Sequence, residues 1–207
     1  DVMVTVTKDG YIKRTSIRSY TASNDEEVGM KENDELVYLA QANTTDTLLA
    51  FTNKGNYVYI PVHELPEIRW KELGQHIANT VQIDKDEHFI TAHTIKDFAN
   101  ETRMFSFVTK QGFVKRTPIK EYKVQRYSKA MVAMKLKDAE DVLLDVFITD
   151  GQQEVVLFTH QALALWFDEE EISIVGPKAA GVKGINLKGD DTVVKAFFVP
   201  NLTEVTD

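Results

Sequence analysis

The sequence of 207 residues contains no cysteine, only five prolines and five histidines. Without cysteine there is no disulfide framework and no thiolate metal site, and the composition fits a reducing compartment. Only His88 and His93 lie close together. Their spacing is not the i, i+4 of a helical zinc pair and no wider ligand cluster surrounds them, so they read as surface or strand histidines. No run approaches the ~18 consecutive apolar residues of a membrane-spanning helix. The opening Asp1-Val2-Met3-Val4-Thr5 lacks a basic n-region and an initiator Met, so it reads as the start of a domain cut from a longer chain and not as a signal peptide. A nucleophile elbow, a phosphate-cradling Gly-rich loop, a dinucleotide fingerprint and a spaced acid–base pair are all missing. No catalytic residue, metal site or cofactor is therefore expected in this chain.

Charge of one sign is scarce in one place. The chain carries a net −8, which by itself argues against a nucleic-acid partner. Yet residues 110–137 hold nine Lys or Arg against a single acid, Glu121, whereas residues 138–207 hold four basic residues against fourteen acidic ones. A local basic patch sets the field near its own surface whatever the total charge.

Self-similarity dominates the rest. Val4-Thr5-Val6-Thr7-Lys8-Asp9-Gly10-Tyr11-Ile12 returns as Leu49 to Val58, as Phe105 to Val114, and in degenerate form as Val155 to Ala164. Each copy is an apolar run, a Thr, a polar turn and a second apolar run, which is a hairpin signature with Gly supplying positive φ. Ala162 stands where the other copies have Gly, so that turn is expected to be strained. Between these copies an acidic pair precedes another apolar strand, at Asp34-Glu35, Asp86-Glu87, Glu140-Asp141 and Asp190-Asp191. These acids read as turn formers rather than metal ligands, and Asp168-Glu169-Glu170-Glu171 reads as a solvated loop. Short alternating stretches such as Thr80 to Ile83, Ala133 to Leu136 and Gly184 to Leu187 read as a further strand. Residues 65–77 break the pattern as a loop or one helical turn, with Trp70 packed over a sheet edge.

Four short strands in each period of about 40–50 residues is the arithmetic of a propeller blade. The fold class is all-β, propeller-like, with about four antiparallel four-stranded blades, complete or as a fragment of a larger disc. The repeats fall at approximately 1–42, 43–95, 96–148 and 149–199.

Two copies share a Lys-Arg pair: Gly10-Tyr11-Ile12-Lys13-Arg14-Thr15 and Gly112-Phe113-Val114-Lys115-Arg116-Thr117. The other two place Val58-Tyr59 and Leu165-Trp166 there, so blade geometry alone does not require charge. Phosphate contact along an outer edge is one account, with Lys13, Arg14, Arg18, Lys110, Lys115, Arg116, Lys120, Lys123, Arg126 and Lys129 as the track. A solvated strand face is the other.

The Thr-x-x-Gly-aromatic-aliphatic-Lys-Arg core, followed by an apolar strand behind an acidic pair, resembles the C-terminal domain of the A subunits of DNA gyrase and topoisomerase IV. Val2 to Tyr20, Phe107 to Ala130, Gly181 to Leu187 and Asp190 to Val194 carry the likeness. The resemblance implies a β-pinwheel, whose blades exchange strands, and a basic rim that binds and bends double-stranded DNA. It further implies partners in an A2B2 holoenzyme, namely the A-subunit catalytic core and the ATPase B subunit, in the bacterial cytoplasm at the nucleoid and with no membrane role. Gyrase subunits carry a Gln-Arg-Arg-Gly-Gly-Lys/Arg-Gly box after the first repeat. Here Thr21 to Glu27 has no basic residue, and only Gln125-Arg126-Tyr127-Ser128-Lys129-Ala130 echoes the box. That departure, together with residues 65–77, is similar to the topoisomerase IV form of Gram-positive bacteria. Three alternatives compete: a gyrase wrapping domain, a protein-interaction propeller without nucleic acid, and a propeller enzyme with a central site, for which the inner strands look too apolar.

Overall fold

The recurrent threonine explains why each hairpin turns where it does. In the computed structural model, which describes residues 1–201, the Thr7 hydroxyl accepts a hydrogen bond from the Tyr11 backbone N–H at 3.0 Å. Thr109 does the same for Phe113 at 3.1 Å, and Thr159 for Leu163 at 3.1 Å. Thr52 accepts from both Lys54 and Asn56. Each side chain thus satisfies a backbone donor that the ladder leaves unpaired at the turn. Gly10, Gly55 and Gly112 take φ of +104°, +81° and +88°, and Ala162 is held at +66°, the strained geometry expected at the degenerate copy.

The strands are β1 (Val2–Thr7), β2 (Tyr11–Ser16), β3 (Leu36–Ala42), β4 (Thr47–Thr52), β5 (Asn56–Pro61), β6 (Gln75–His76), β7 (Phe89–Ile95) and β8 (Met104–Thr109). There follow β9 (Phe113–Pro118), β10 (Met131–Val132), β11 (Leu143–Thr149), β12 (Gln153–Thr159), β13 (Ala164–Asp168), β14 (Val182–Lys183) and β15 (Val193–Pro200). One short helix, α1 (Ile17–Ala22), is capped by Ser16. The sheets are ordered β3-β1-β2-β6, β10-β5-β4-β7, β11-β8-β9-β14 and β13-β12-β15. In the first three, the strand paired to the second hairpin arm comes from the following repeat. This is the strand exchange of the β-pinwheel. In the fourth, β13 has no such strand among the described residues.

The chain forms two compact units, one of residues 1–97 with 124–131, the other of 98–123 with 132 onward. Within the first, Val4, Val6, Leu48, Ala50 and Val58 are fully buried in one cluster; within the second, Val108, Val155, Leu157 and Val193 form another. The first strand of each of the first three hairpins is buried on both faces, so it reads as a continuous apolar run.

The acidic pairs serve the turns. Asp34 Oδ1 accepts from the N–H groups of Asp9 and Glu35, Asp141 Oδ1 from Gln111 and Val142, and Asp191 Oδ1 from Gln161 and Thr192. One carboxylate therefore ties the turn of the first, third and fourth hairpins to the strand beside it, and in the second the Asn53 side-chain oxygen accepts from the His88 N–H.

One expectation needs correction. The exchanged strands are only two residues long and lie upstream of Thr80, Ala133 and Gly184; at Gln82 and Lys135 there are only single parallel bridges, to Lys129 and Ala180. Close approach requires glycine just before β14: a Cβ on Gly181 would stand 2.5 Å from the Val114 carbonyl oxygen. Residues 65–77 are the crossing segment itself, which ends in β6. Trp70 is buried there; its indole N–H donates to the Glu26 carbonyl at 2.7 Å and its ring meets Tyr20 edge-on. No helix among the described residues is long and apolar enough to cross a membrane.

Candidate nucleic-acid interface

The Lys-Arg pairs, the most conspicuous sequence feature, are turned onto the crossing segments, and only Arg14 of the four stays half-exposed. Lys13 is 1% exposed, and its ammonium donates to the carbonyls of Arg69, Trp70 and Glu72 at 2.9, 2.8 and 2.5 Å. Lys115 is fully buried and donates to Ala133, Gly176 and Pro177 at 2.7, 3.0 and 2.9 Å. All three N–H donors of each ammonium are thereby used. Burial pulls the Lys13 ammonium down to about 8, with Glu72 acting in the opposite sense. It pulls Lys115 down to about 7, opposed by Glu121.

The arginines hold the same crossing segments. Arg14 Nε donates to the Leu65 carbonyl at 2.8 Å, while its backbone pairs with Pro66 and Ile68. Arg116 Nε donates to Ile172 at 2.9 Å, and its backbone pairs with Ser173 and Val175. Each pair is a clasp that fastens the next repeat onto the second hairpin arm. The second repeat fastens its crossing segment differently: Tyr59, at the arginine position, packs against Tyr127 with ring centroids 5.4 Å apart.

The two arginines differ in their surroundings. Beside Arg116 stands Glu169, fully buried, with Oε2 3.5 Å from Nη1. Glu169 also accepts from the Thr149 hydroxyl and from the N–H groups of Gly151 and Gln153. In the first unit the corresponding position, three residues before the carbonyl that receives the arginine, is Val62, and Arg14 stays half-exposed. Lys13, Lys115 and Arg116 are therefore corrected from phosphate contacts to internal clasps. Glu169 is likewise corrected: Asp168, Glu170 and Glu171 are solvated, and Glu169 is core. Spacing alone hides this, because apart from Ala133, 18 residues from Lys115, the partners of these three cations lie 53 to 62 residues away in sequence.

The remaining residues of the expected phosphate track are exposed. In the first unit these are Arg18 on α1, and Arg126 and Lys129 on the loop between β9 and β10. In the second they are Lys110 at a hairpin turn, with Lys120 and Lys123 around the 3-10 turn Ile119–Tyr122. Tyr122 fixes that turn: it is fully buried, contacts Phe105 and Phe107, and donates to the Ala133 carbonyl at 2.7 Å. Where a gyrase-type box would follow the first repeat, Asp25, Glu26 and Glu27 are exposed and Glu26 is ion-paired with Lys71.

A sequence of hairpins with exchanged edge strands, clasped by buried cations and bearing its free cations on surface turns, has close counterparts among known proteins. The family described as DNA gyrase C-terminal domain, beta-propeller, matches residues 1–24, 46–96, 104–150 and 153–200, and the chain belongs to it. The chain is 55% identical over 194 residues to the DNA topoisomerase 4 A subunit of Bacillus subtilis, covering 94% of this chain and 24% of that protein. It spans about a quarter of the length of the curated relatives it matches. A solved structure described as the C-terminal domain of DNA topoisomerase IV superposes with a TM-score of 0.88 at 56% identity, covering 97% of this chain and 61% of the other. The E. coli ParC C-terminal domain shares the fold at 12% identity, with a TM-score of 0.76 over 96% of this chain and 79% of its own.

Proposed function

We propose that this chain binds and bends double-stranded DNA as part of the C-terminal domain of a topoisomerase IV-type A subunit. The whole enzyme would be an ATP-dependent type II topoisomerase that decatenates and relaxes DNA in the bacterial cytoplasm, at the nucleoid. Cleavage would be performed by the A-subunit core and ATP hydrolysis by a B subunit in an A2B2 assembly. This chain's part is geometric: it holds a DNA segment close to the cleavage core and so raises the local concentration of the segment to be passed. Bending that segment costs about 1–6 kcal/mol, offset by phosphate contacts.

The observation that carries the reading is the concentration of exposed cations on anchored turns in an otherwise acidic chain of this family. Arg14, Arg18, Lys110, Lys120, Lys123, Arg126 and Lys129 are the proposed contacts. The absence of basic residues in Thr21 to Glu27 favours the topoisomerase IV type over chiral wrapping of the gyrase type. The test is titration of duplex DNA at two salt concentrations with wild type and the double variant Arg126→Glu, Lys129→Glu. The expected result is weaker binding and a shallower salt dependence, because fewer counterions are released. Equal affinity and slope in the two proteins would favour a protein-interaction role instead.

A further inference from the structure

The loop that carries Arg126 and Lys129 has no regular secondary structure, yet it is pinned at defined points. Tyr127 is half-buried between two exposed neighbours, Arg126 and Ser128. Its ring lies against Tyr59, which is 6% exposed, and its hydroxyl donates to Glu64 Oε1 at 3.0 Å. One step further along, the Gln82 N–H donates to the Ser128 carbonyl at 3.3 Å, and the Ala130 N–H donates to Gln82 at 3.5 Å. These contacts all lie within the first compact unit. They fix the backbone from 127 to 130 and leave the side chains of Arg126, just before it, and Lys129, within it, exposed to solvent.

We propose that Tyr127 is the positioning residue of this basic loop: held by Tyr59 and Glu64, it presents Arg126 and Lys129 in a fixed arrangement to successive backbone phosphates of a duplex. The proposal rests on the DNA-binding reading above and deepens it. Phosphate contact by flexible cations loses part of its gain to ordering of chain and side chains. A loop already ordered by an aromatic anchor avoids that loss before DNA arrives. The hydrogen bond to Glu64 raises the Tyr127 phenol above its usual range. Glu64 is exposed, and its carboxylate would otherwise face the incoming phosphates; engaging it with the phenol gives the charge a structural use. The second repeat lacks the Lys-Arg clasp because an aromatic pair fastens its crossing segment, and that segment is the basic loop.

The experiment measures duplex DNA affinity across a salt series for wild type and for Tyr127→Ala, Tyr127→Phe, Glu64→Gln and Arg126→Ala with Lys129→Ala, with thermal melting of each. Tyr127→Ala is expected to weaken binding about 3- to 10-fold while leaving the salt slope near wild type, since both cations still reach phosphate once bound. The double cation variant lowers the slope by roughly 0.9 per cation removed. Tyr127→Phe keeps the ring and restores most of the affinity, and Glu64→Gln keeps an acceptor and loses none. Tyr127→Phe also provides the readout should the alanine variant fold poorly. Should wild type bind and both Tyr127 variants bind equally well, the positioning role is wrong and the DNA reading stands. Should wild type fail to retain duplex at low salt, both fall together.

Discussion

Arg116 and Glu169 form a buried ion pair, and in the first unit, where Arg14 corresponds to Arg116, the position of the glutamate is taken by Val62. The Glu169 carboxylate is wholly inaccessible and is shared among Arg116, Thr149, Gly151 and Gln153. One carboxylate thus satisfies a guanidinium, a hydroxyl and two backbone N–H groups at the start of β12. The Arg116 charge is neutralised inside the protein, whereas Arg14 keeps part of its surface to solvent.

Glu169→Ala therefore strands a buried guanidinium and two backbone donors together. The expected loss is ~3 kcal/mol of unfolding free energy, measured by urea denaturation. Glu171→Ala, on the exposed side of the same 3-10 turn, is the control and should cost well under half as much. Comparable midpoints for the two variants would refute the assignment of Glu169 as the structural member of this acidic run.

The clasp lysines give a pH signature. The folded Lys115 ammonium titrates at about 7 and the ordinary value is 10.5, so between those values the unfolded chain binds more protons than the folded one. Stability then rises with pH across that window, and the contribution is least favourable below about 7. Lys13 acts in the same sense between about 8 and 10.5. Relative to Lys115→Met, which cannot titrate, wild type should gain unfolding free energy between pH 7 and pH 10. Parallel profiles for the two proteins would show that the three carbonyls keep Lys115 charged throughout.

Ala162 offers a gain instead of a loss. It sits at φ +66° and is exposed, so glycine there relieves backbone strain without opening a cavity. Ala162→Gly should stabilise the chain by about 1 kcal/mol, read as a higher urea midpoint at unchanged slope. A lower midpoint would mean that the unfolded-state entropy of glycine outweighs the relief.

What the sequence disclosed was local. The Thr-x-x-Gly turns, the positive φ of Ala162 and the turn role of Asp34, Asp141 and Asp191 depend on neighbours a few residues apart or on a pattern repeated in register. The strand periodicity and the four repeats were legible for the same reason. Lys13 and Lys115 were not. A lysine on a strand normally faces water, and these are buried only because the next repeat supplies all three carbonyls to Lys13 and two to Lys115, whose third comes from Ala133 in its own repeat. Tyr127 was missed because its partners Tyr59 and Glu64 lie in another repeat, with Glu64 63 residues away. The one available clue was Tyr59, an aromatic at the arginine position of the second repeat, and it was weak because the fourth repeat also carries an aromatic there, Trp166.

Strand exchange makes neighbouring repeats interdependent in a way that stacked solenoid units are not. A graft cut at the end of β3 would take the first sheet without β6 and leave Lys13 with no carbonyls to receive its charge. Exchange of modules between relatives must therefore follow the crossing segments, moving a hairpin together with the strap that closes it. Recombination at the apparent sequence boundaries would yield chains with a desolvated cation and an open edge, which selection would remove even when each half is sound by itself.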